Sequence, residues 1–166
     1  MTIPPVRQKL AAATAACLFL LGATVGCDKG SDDVQTRNAD DVAREVQQYA
    51  DQVVTIIGDT KLTNGVVDTS PCEGKRGETD GDIRTTYGIY QLPVSDHAAA
   101  IGRLRQAWNA AGWRITDDRT VGQRGEGVLA AEAPNGGLNA SITSTTPPTH
   151  VKLSIYSACY QTAKAG

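Results

Sequence analysis

The sequence predicts an α+β fold, a two-layer sandwich in which two helices cover one face of a mostly antiparallel sheet of about four to five strands. Two segments place apolar residues three and four positions apart, as helices do, whereas segments towards the C-terminus alternate apolar and polar residues, as strands do. The chain has 166 residues, of which 40% are hydrophobic. That length and composition are typical of one domain with one core.

The two helices are predicted over residues 39–58 and 96–111. Asn38 and Ser95 suit the N-cap positions, and Gly112 follows the second helix as its stop. The apolar stripe of the first helix consists of Val42, Val46, Tyr49, Ala50, Val53, Val54 and Ile57. The stripe of the second consists of Ile101, Leu104, Ala107, Trp108 and Ala111.

The segment between the helices begins with residues 59–82, which are rich in glycine and lack periodicity. We therefore expect chiefly loop there, with a short strand at Val66-Val67. The strand predicted over residues 83–92 is rich in Ile, Thr and Tyr and ends at Pro93, although the sequence does not fix its position in the sheet. Further strands are predicted at 113–117, 127–133, 138–143 and 151–156, with a hairpin turn at 134–137.

The last two strands place four candidate binding residues on the polar face of the sheet. Asn139 and Ser141 alternate with apolar residues on one strand, and Lys152 and Tyr156 do so on the next. Amide, hydroxyl and aromatic groups on one flat face can bind a polar ligand or another protein. Most of the other large aromatic rings are expected in the core, Trp108 and Trp113 among them.

Residues 1–26 have the composition of a signal peptide. Arg7 and Lys9 stand without an acid in the first nine residues, and a stretch of apolar and small residues too short to span a bilayer follows. We expect cleavage between Gly26 and Cys27. Residues 28–37 are polar and aperiodic and are predicted to be a flexible tether, which leaves residues 38–166 as the single domain.

The end of this leader, Thr24-Val25-Gly26-Cys27, resembles the lipobox of bacterial lipoproteins. In that family the cysteine carries a diacylglycerol, with acyl chains such as palmitate, which anchors the protein on the outer face of the cell membrane. Thr24 stands where the pattern usually has leucine, so secretion with cleavage nearby is the alternative. Under the resemblance, the lipid on Cys27 makes the membrane a direct partner of the chain.

Cys17 lies in the leader and Cys27 is the acylation candidate, so the domain retains Cys72 and Cys159. In an oxidising compartment these two are predicted to form one disulfide. The loop that it closes spans 87 residues, for which the chain-entropy model gives on the order of 4 kcal/mol. Because Cys159 continues the inward alternation of the last strand, we expect the disulfide on the core side.

Charge and motifs exclude several function classes. Loss of Arg7 and Lys9 with the leader leaves 14 of the 16 basic residues against 18 acidic ones, a net charge of −4 that disfavours nucleic acid as a partner. His97 and His150 have no ligand at metal-binding spacing, and no G-x-S-x-G motif is present. We therefore expect no metal, no cofactor and no catalytic residue.

The layout of the mature chain, with the segments Ser70-Pro71-Cys72 and Tyr156-Ser157-Ala158-Cys159-Tyr160, resembles small lipoproteins of high-GC Gram-positive (actinobacterial) bacteria, many without an assigned activity. The resemblance implies an exported place and this fold. The function expected is a non-catalytic, membrane-anchored envelope lipoprotein that binds a protein or an envelope component. The alternatives are a carrier of a hydrophobic ligand, in a cavity of at least about 300 Å³ between helices and sheet, and a small extracytoplasmic enzyme.

Overall fold

Two helices and eight strands make up the part of the chain that the structure, a computed structural model, describes, namely residues 34–58, 60–72, 83–122 and 125–163. In chain order these elements are β1 (Thr36–Arg37), α1 (Ala39–Ile57), β2 (Thr63–Pro71), β3 (Ile83–Pro93), α2 (His97–Ala110), β4 (Arg114–Thr120), β5 (Gly127–Glu132), β6 (Leu138–Ser144), β7 (His150–Ser157) and β8 (Tyr160–Thr162). The predicted α+β class with two helices is confirmed.

The described strands form one sheet, in which the order across the main part is β2-β3-β7-β6-β5-β4 and all of these neighbours are antiparallel. Strand β8 pairs with the first two residues of β3, and β1 lies beside β8 in the parallel direction. Strand β3 is therefore central, with β2 on one side and β7 and β8 on the other. The short antiparallel connections place β5, β6 and β7 in sequence order.

The prediction of about four to five strands is wrong, because β1, β2 and β8 were not foreseen as full strands. With two and three residues, β1 and β8 are too short to show alternation. Strand β1 consists of the last two residues of the predicted tether, and the Gln161 N–H donates to the Gln35 carbonyl next to it at 3.0 Å.

Strand β2, of nine residues, lies within the segment 59–82 that was predicted to be chiefly loop, and it includes the short strand predicted at Val66-Val67. The Asn64-Gly65 pair accompanies a bulge, since the register with β3 shifts between Thr63 and Val66 and Asn64 has a φ of 48°. Most β2 residues are exposed, as on a sheet edge, so the strand lacks the alternation by which a half-buried strand is recognised. Residues 73–82 of the predicted loop lie outside the described residues.

Both helices begin at capped residues. Asn38 caps α1 as predicted, its side-chain oxygen accepting the Asp40 N–H at 2.8 Å. The predicted cap of α2 is wrong by one position: Asp96, not Ser95, accepts the Ala99 N–H at 2.9 Å. A carboxylate at that position also suits the positive end of the helix dipole.

One buried cluster joins both helices to the inner face of the sheet, the face that they cover. It contains Val46, Ala50, Val53, Ile57, Tyr90, Leu92, Ala100, Ile101, Leu104, Trp108, Leu129, Ala131, Leu138, Ala140, Ile142, Val151, Leu153 and Ile155. The inner residues of β6 and β7 alternate as predicted, and those of β5 alternate too. In the part of the chain that the structure describes, neither helix is both long and apolar enough to cross a membrane.

Candidate functional site

The outer face of the sheet, opposite the helices, carries all four predicted binding residues. Lys152 and Tyr156 alternate with buried residues on β7, and Asn139 and Ser141 do so on β6. Asn139 lies directly opposite Tyr156, and such paired residues project to the same side of an antiparallel ladder. Ser141 pairs with Ser154, the residue between Lys152 and Tyr156 on this face. The structure therefore brings the four side chains together on two adjacent strands.

Beside these residues lies an apolar area, here called the tyrosine patch, formed by the exposed Val66 and Tyr156 and the half-buried Tyr87 and Ile89. Tyr87 lies opposite Tyr156, with ring centroids 6.0 Å apart, and Val66 lies opposite Ile89. The exposed fractions are 43% for Tyr156 and 56% for Val66. Single exposed apolar residues are ordinary, but contiguous ones mark interaction surfaces.

An acidic residue borders the tyrosine patch on the edge strand. Asp68 lies opposite Tyr87, whose hydroxyl donates to the Asp68 carboxylate at 3.4 Å. The negative charge of Asp68 is the main cause that raises the pKa of Tyr87, because ionisation would place two anions side by side. Tyr87 is thus kept as a neutral phenol.

Lys152 supplies a positive charge on the same strand as Tyr156, four residues before it. It is exposed and lies opposite Gln91 on β3 and Thr143 on β6. Among the described residues Lys152 has no ion-pair partner, whereas Arg114 and Arg119 near the far edge pair with acids on β4 and β5. The ammonium of Lys152 is therefore available to an anionic group of a ligand.

Three members of the tyrosine patch were missed in the sequence. Val66 was predicted in a short strand with no face assigned to it. Strand β3 carries large residues on both faces, since Tyr87 and Ile89 alternate with Tyr90 and the other buried residues. Periodicity alone could not show which face of β3 is buried. The pairing of β3 with β7, where Tyr87 meets Tyr156, is the signal that locates them, and it exists only in the folded chain.

The predicted disulfide partners, Cys72 and Cys159, are bonded, with their Cα atoms 5.9 Å apart. The bond ties the end of β2 to the segment between β7 and β8. The prediction that Cys159 points into the core is wrong. Strand β7 ends at Ser157 and the alternation does not continue beyond it, so Tyr160 is buried and Cys159 is half-buried. Cys27, the predicted lipidation residue, lies outside the described residues.

Both histidines lie within hydrogen-bond distance of neighbouring groups of the fold. His97 is 4% exposed; its Nδ1 lies 2.8 Å from Ser144 Oγ and its Nε2 lies 3.2 Å from the Pro148 carbonyl oxygen. A carbonyl can only accept, so Nε2 carries the proton and Nδ1 accepts the Ser144 hydroxyl. The other histidine, His150, contacts the hydroxyl of Thr149 at 2.8 Å. Within the described ranges no group of three or more His, Cys, Asp or Glu side chains is placed to hold a metal ion.

Two openings bear on the ligands that the fold can accept. A cleft of 230 Å³ lies where the end of α1 meets the start of α2, lined by residues such as Ile57, Val94 and Arg103. This volume is smaller than the cavity of at least about 300 Å³ that a carrier needs. A groove of 380 Å³ lies between α1 and the turn that joins β5 to β6. The cleft at the helix ends is thus smaller than a carrier cavity, whereas the groove beside the turn exceeds that volume.

Comparison with models of known protein families and with curated proteins finds no match to this chain.

Proposed function

We propose that the chain is an exported envelope lipoprotein, anchored to the outer side of the cell membrane by a lipid on Cys27, and that its domain binds a protein or another envelope component without catalysis. The anchor rests on the leader and on the lipobox-like residues before Cys27. The bond between Cys72 and Cys159 supports an oxidising location, because such bonds persist outside the cytosol.

One observation carries the binding role: the tyrosine patch and the unpaired ammonium of Lys152 lie next to each other on a sheet face that neither helix covers. Tyrosines give large contact areas at a small entropic cost, and they are enriched among the residues that dominate binding energy. Tyr156 stands between the aromatic Tyr87 and the amide of Asn139. The surface therefore offers an apolar anchor with polar groups at its border, which is the arrangement of protein interfaces.

The test is a double substitution of Tyr156→Ala and Lys152→Ala in the full chain, expressed in its native cell. Partners are crosslinked in intact cells, captured with the protein and identified by mass spectrometry. We expect a specific partner of the wild-type protein to be lost from the double variant. Both side chains are exposed, so the free energy of unfolding should change by no more than about 1 kcal/mol.

The matched control carries Arg103→Ala and Gln106→Ala, which also removes one cation and one other large side chain, from the exposed side of α2. This control should capture the partner as the wild-type protein does. Capture that persists in the outer-face variant would refute the assignment of that face. Equal loss in both variants would show that the effect is not specific to the tyrosine patch and Lys152.

A further inference from the structure

A groove on the helix side of the domain, away from the tyrosine patch, has the chemistry of a small-molecule site. It has a volume of 380 Å³ and lies between α1 and the turn that joins β5 to β6. Tyr49 and Trp113 line it together with the apolar Pro134 and Leu138. The volume falls at the lower end of small-ligand sites, which are mostly apolar with a few well-placed polar groups.

Two aromatic rings, Tyr49 and Trp113, form one wall of this groove, and Trp113 also stacks on the buried Trp108. Trp113 stacks on Tyr49, with ring centroids 4.9 Å apart and an interplanar angle of 17°, and on Trp108, at 5.6 Å and 10°. The Trp108 indole N–H donates to the Tyr49 hydroxyl at 2.5 Å. Because this bond joins the edges of the Tyr49 and Trp108 rings, the two rings lie side by side. Trp113 therefore stacks on both of them from the same side.

Tyr49 and Trp108 both lie on one side of Trp113, so neither ring covers the second face of its indole, and Trp113 lines the groove. Trp108 is 1% exposed and Trp113 is half-buried, as a ring stacked on the core from outside would be. Tyr49 and Trp108 fix the position of Trp113, so a ligand that stacks on its second face does not have to order the ring first. A flat ring, preformed and partly solvated, is the main recognition element of the groove.

Polar side chains stand around this ring. Gln52 is exposed and makes no hydrogen bond within the described part of the chain. Asn135 accepts the Gly137 N–H with its side-chain oxygen at 3.0 Å, which leaves its amide NH2 group as a donor. Glu45 also lines the groove and is paired with Arg37 at 2.6 Å, so its charge is balanced.

We propose that this groove binds a neutral saccharide. A pyranose ring has an apolar C–H face that fits the second face of Trp113, and hydroxyl groups at its edge that fit Gln52, Asn135 and the Glu45 carboxylate. A wholly apolar ligand would leave these polar groups without hydrogen bonds. A cation would be attracted only weakly to the Glu45 carboxylate, because Arg37 already balances its charge.

The test uses the full chain and three probes, chitotriose, maltotriose and cellotriose, with binding followed by tryptophan fluorescence and by amide chemical shifts. We expect saturable binding of at least one probe, with the shifts centred on α1 and residues 133–137. Tetramethylammonium is the competing probe, since a groove for cations would bind it instead. Absence of saturable binding by all three saccharides, or shifts produced by tetramethylammonium alone, would overturn the proposal.

Variants locate the binding. Trp113→Leu should weaken the best probe at least about tenfold by removing the stacking surface. Gln52→Ala should weaken it about threefold to tenfold, and because Gln52 is exposed this variant should fold normally. The variant with Tyr156→Ala and Lys152→Ala should bind the probe as the wild type does, so failure here and failure of the outer-face proposal are distinguishable. Unchanged affinity in both Trp113→Leu and Gln52→Ala would contradict the site.

Discussion

Gly88 on β3 lies in close contact with α1, and Gly88→Ala should destabilise the protein. An added Cβ would lie 2.7 Å from Val46 Cγ1 and 2.7 Å from Tyr90 Cε2. Tyr90 cannot swing away freely, because it is 2% exposed and its hydroxyl donates to the Gln47 side chain at 2.9 Å. The helix must therefore shift, and overpacking of this kind costs about 1 to 3 kcal/mol of unfolding free energy.

The matched control is Gly102→Ala in the interior of α2, where an added Cβ meets nothing within 4 Å. Alanine is the better helix former, so this variant should gain about 0.5 to 1 kcal/mol. The same substitution thus has opposite signs at the two positions. The measurement is urea unfolding followed by tryptophan fluorescence. A Gly88→Ala variant within about 0.5 kcal/mol of the wild type would refute the close packing of α1 on β3.

Two further predictions concern the disulfide and the aromatic wall. The variant with Cys72→Ser and Cys159→Ser, which opens a loop of 87 residues, should lose about 4 to 5 kcal/mol in urea unfolding, and an unchanged midpoint would contradict this. Burial raises the pKa of Tyr49 to about 12, so the folded state keeps a proton that the unfolded state loses above pH 10. Stability should therefore fall by about 2 kcal/mol between pH 10 and 12, and Tyr49→Phe should remove that part of the fall; an equally steep fall in the variant would contradict it.

Local patterns in the sequence predicted the parts of the fold whose signals are local. The stripe of α1 is buried at Val42, Val46, Ala50, Val53 and Ile57, as its spacing required, because helix periodicity depends only on the residues of the helix. The alternation of β6 and β7 placed Asn139, Ser141, Lys152 and Tyr156 on one face for the same reason. Their role in binding stays a prediction.

Features that depend on pairing between distant strands could not be predicted. Strand β2 at the sheet edge is mostly exposed, so burial does not impose alternation on its residues. Its Asn64-Gly65 pair is as suitable for a bulge as for a turn. The tyrosine patch needs the register that sets Tyr87 against Tyr156. The groove needs Trp113, expected in the core but half-buried, to stack on Tyr49 from α1. None of these contacts leaves a trace within a single segment.

The most direct test of an exported, anchored domain is the intact mass of the protein purified from its native membranes, with and without a reductant. We expect the mass of a chain that begins at Cys27, increased by a diacylglycerol, and a gain of about 2 Da when the bond between Cys72 and Cys159 is reduced. A chain that retains residues 1–26, carries no lipid and shows no mass change on reduction would contradict the proposed location.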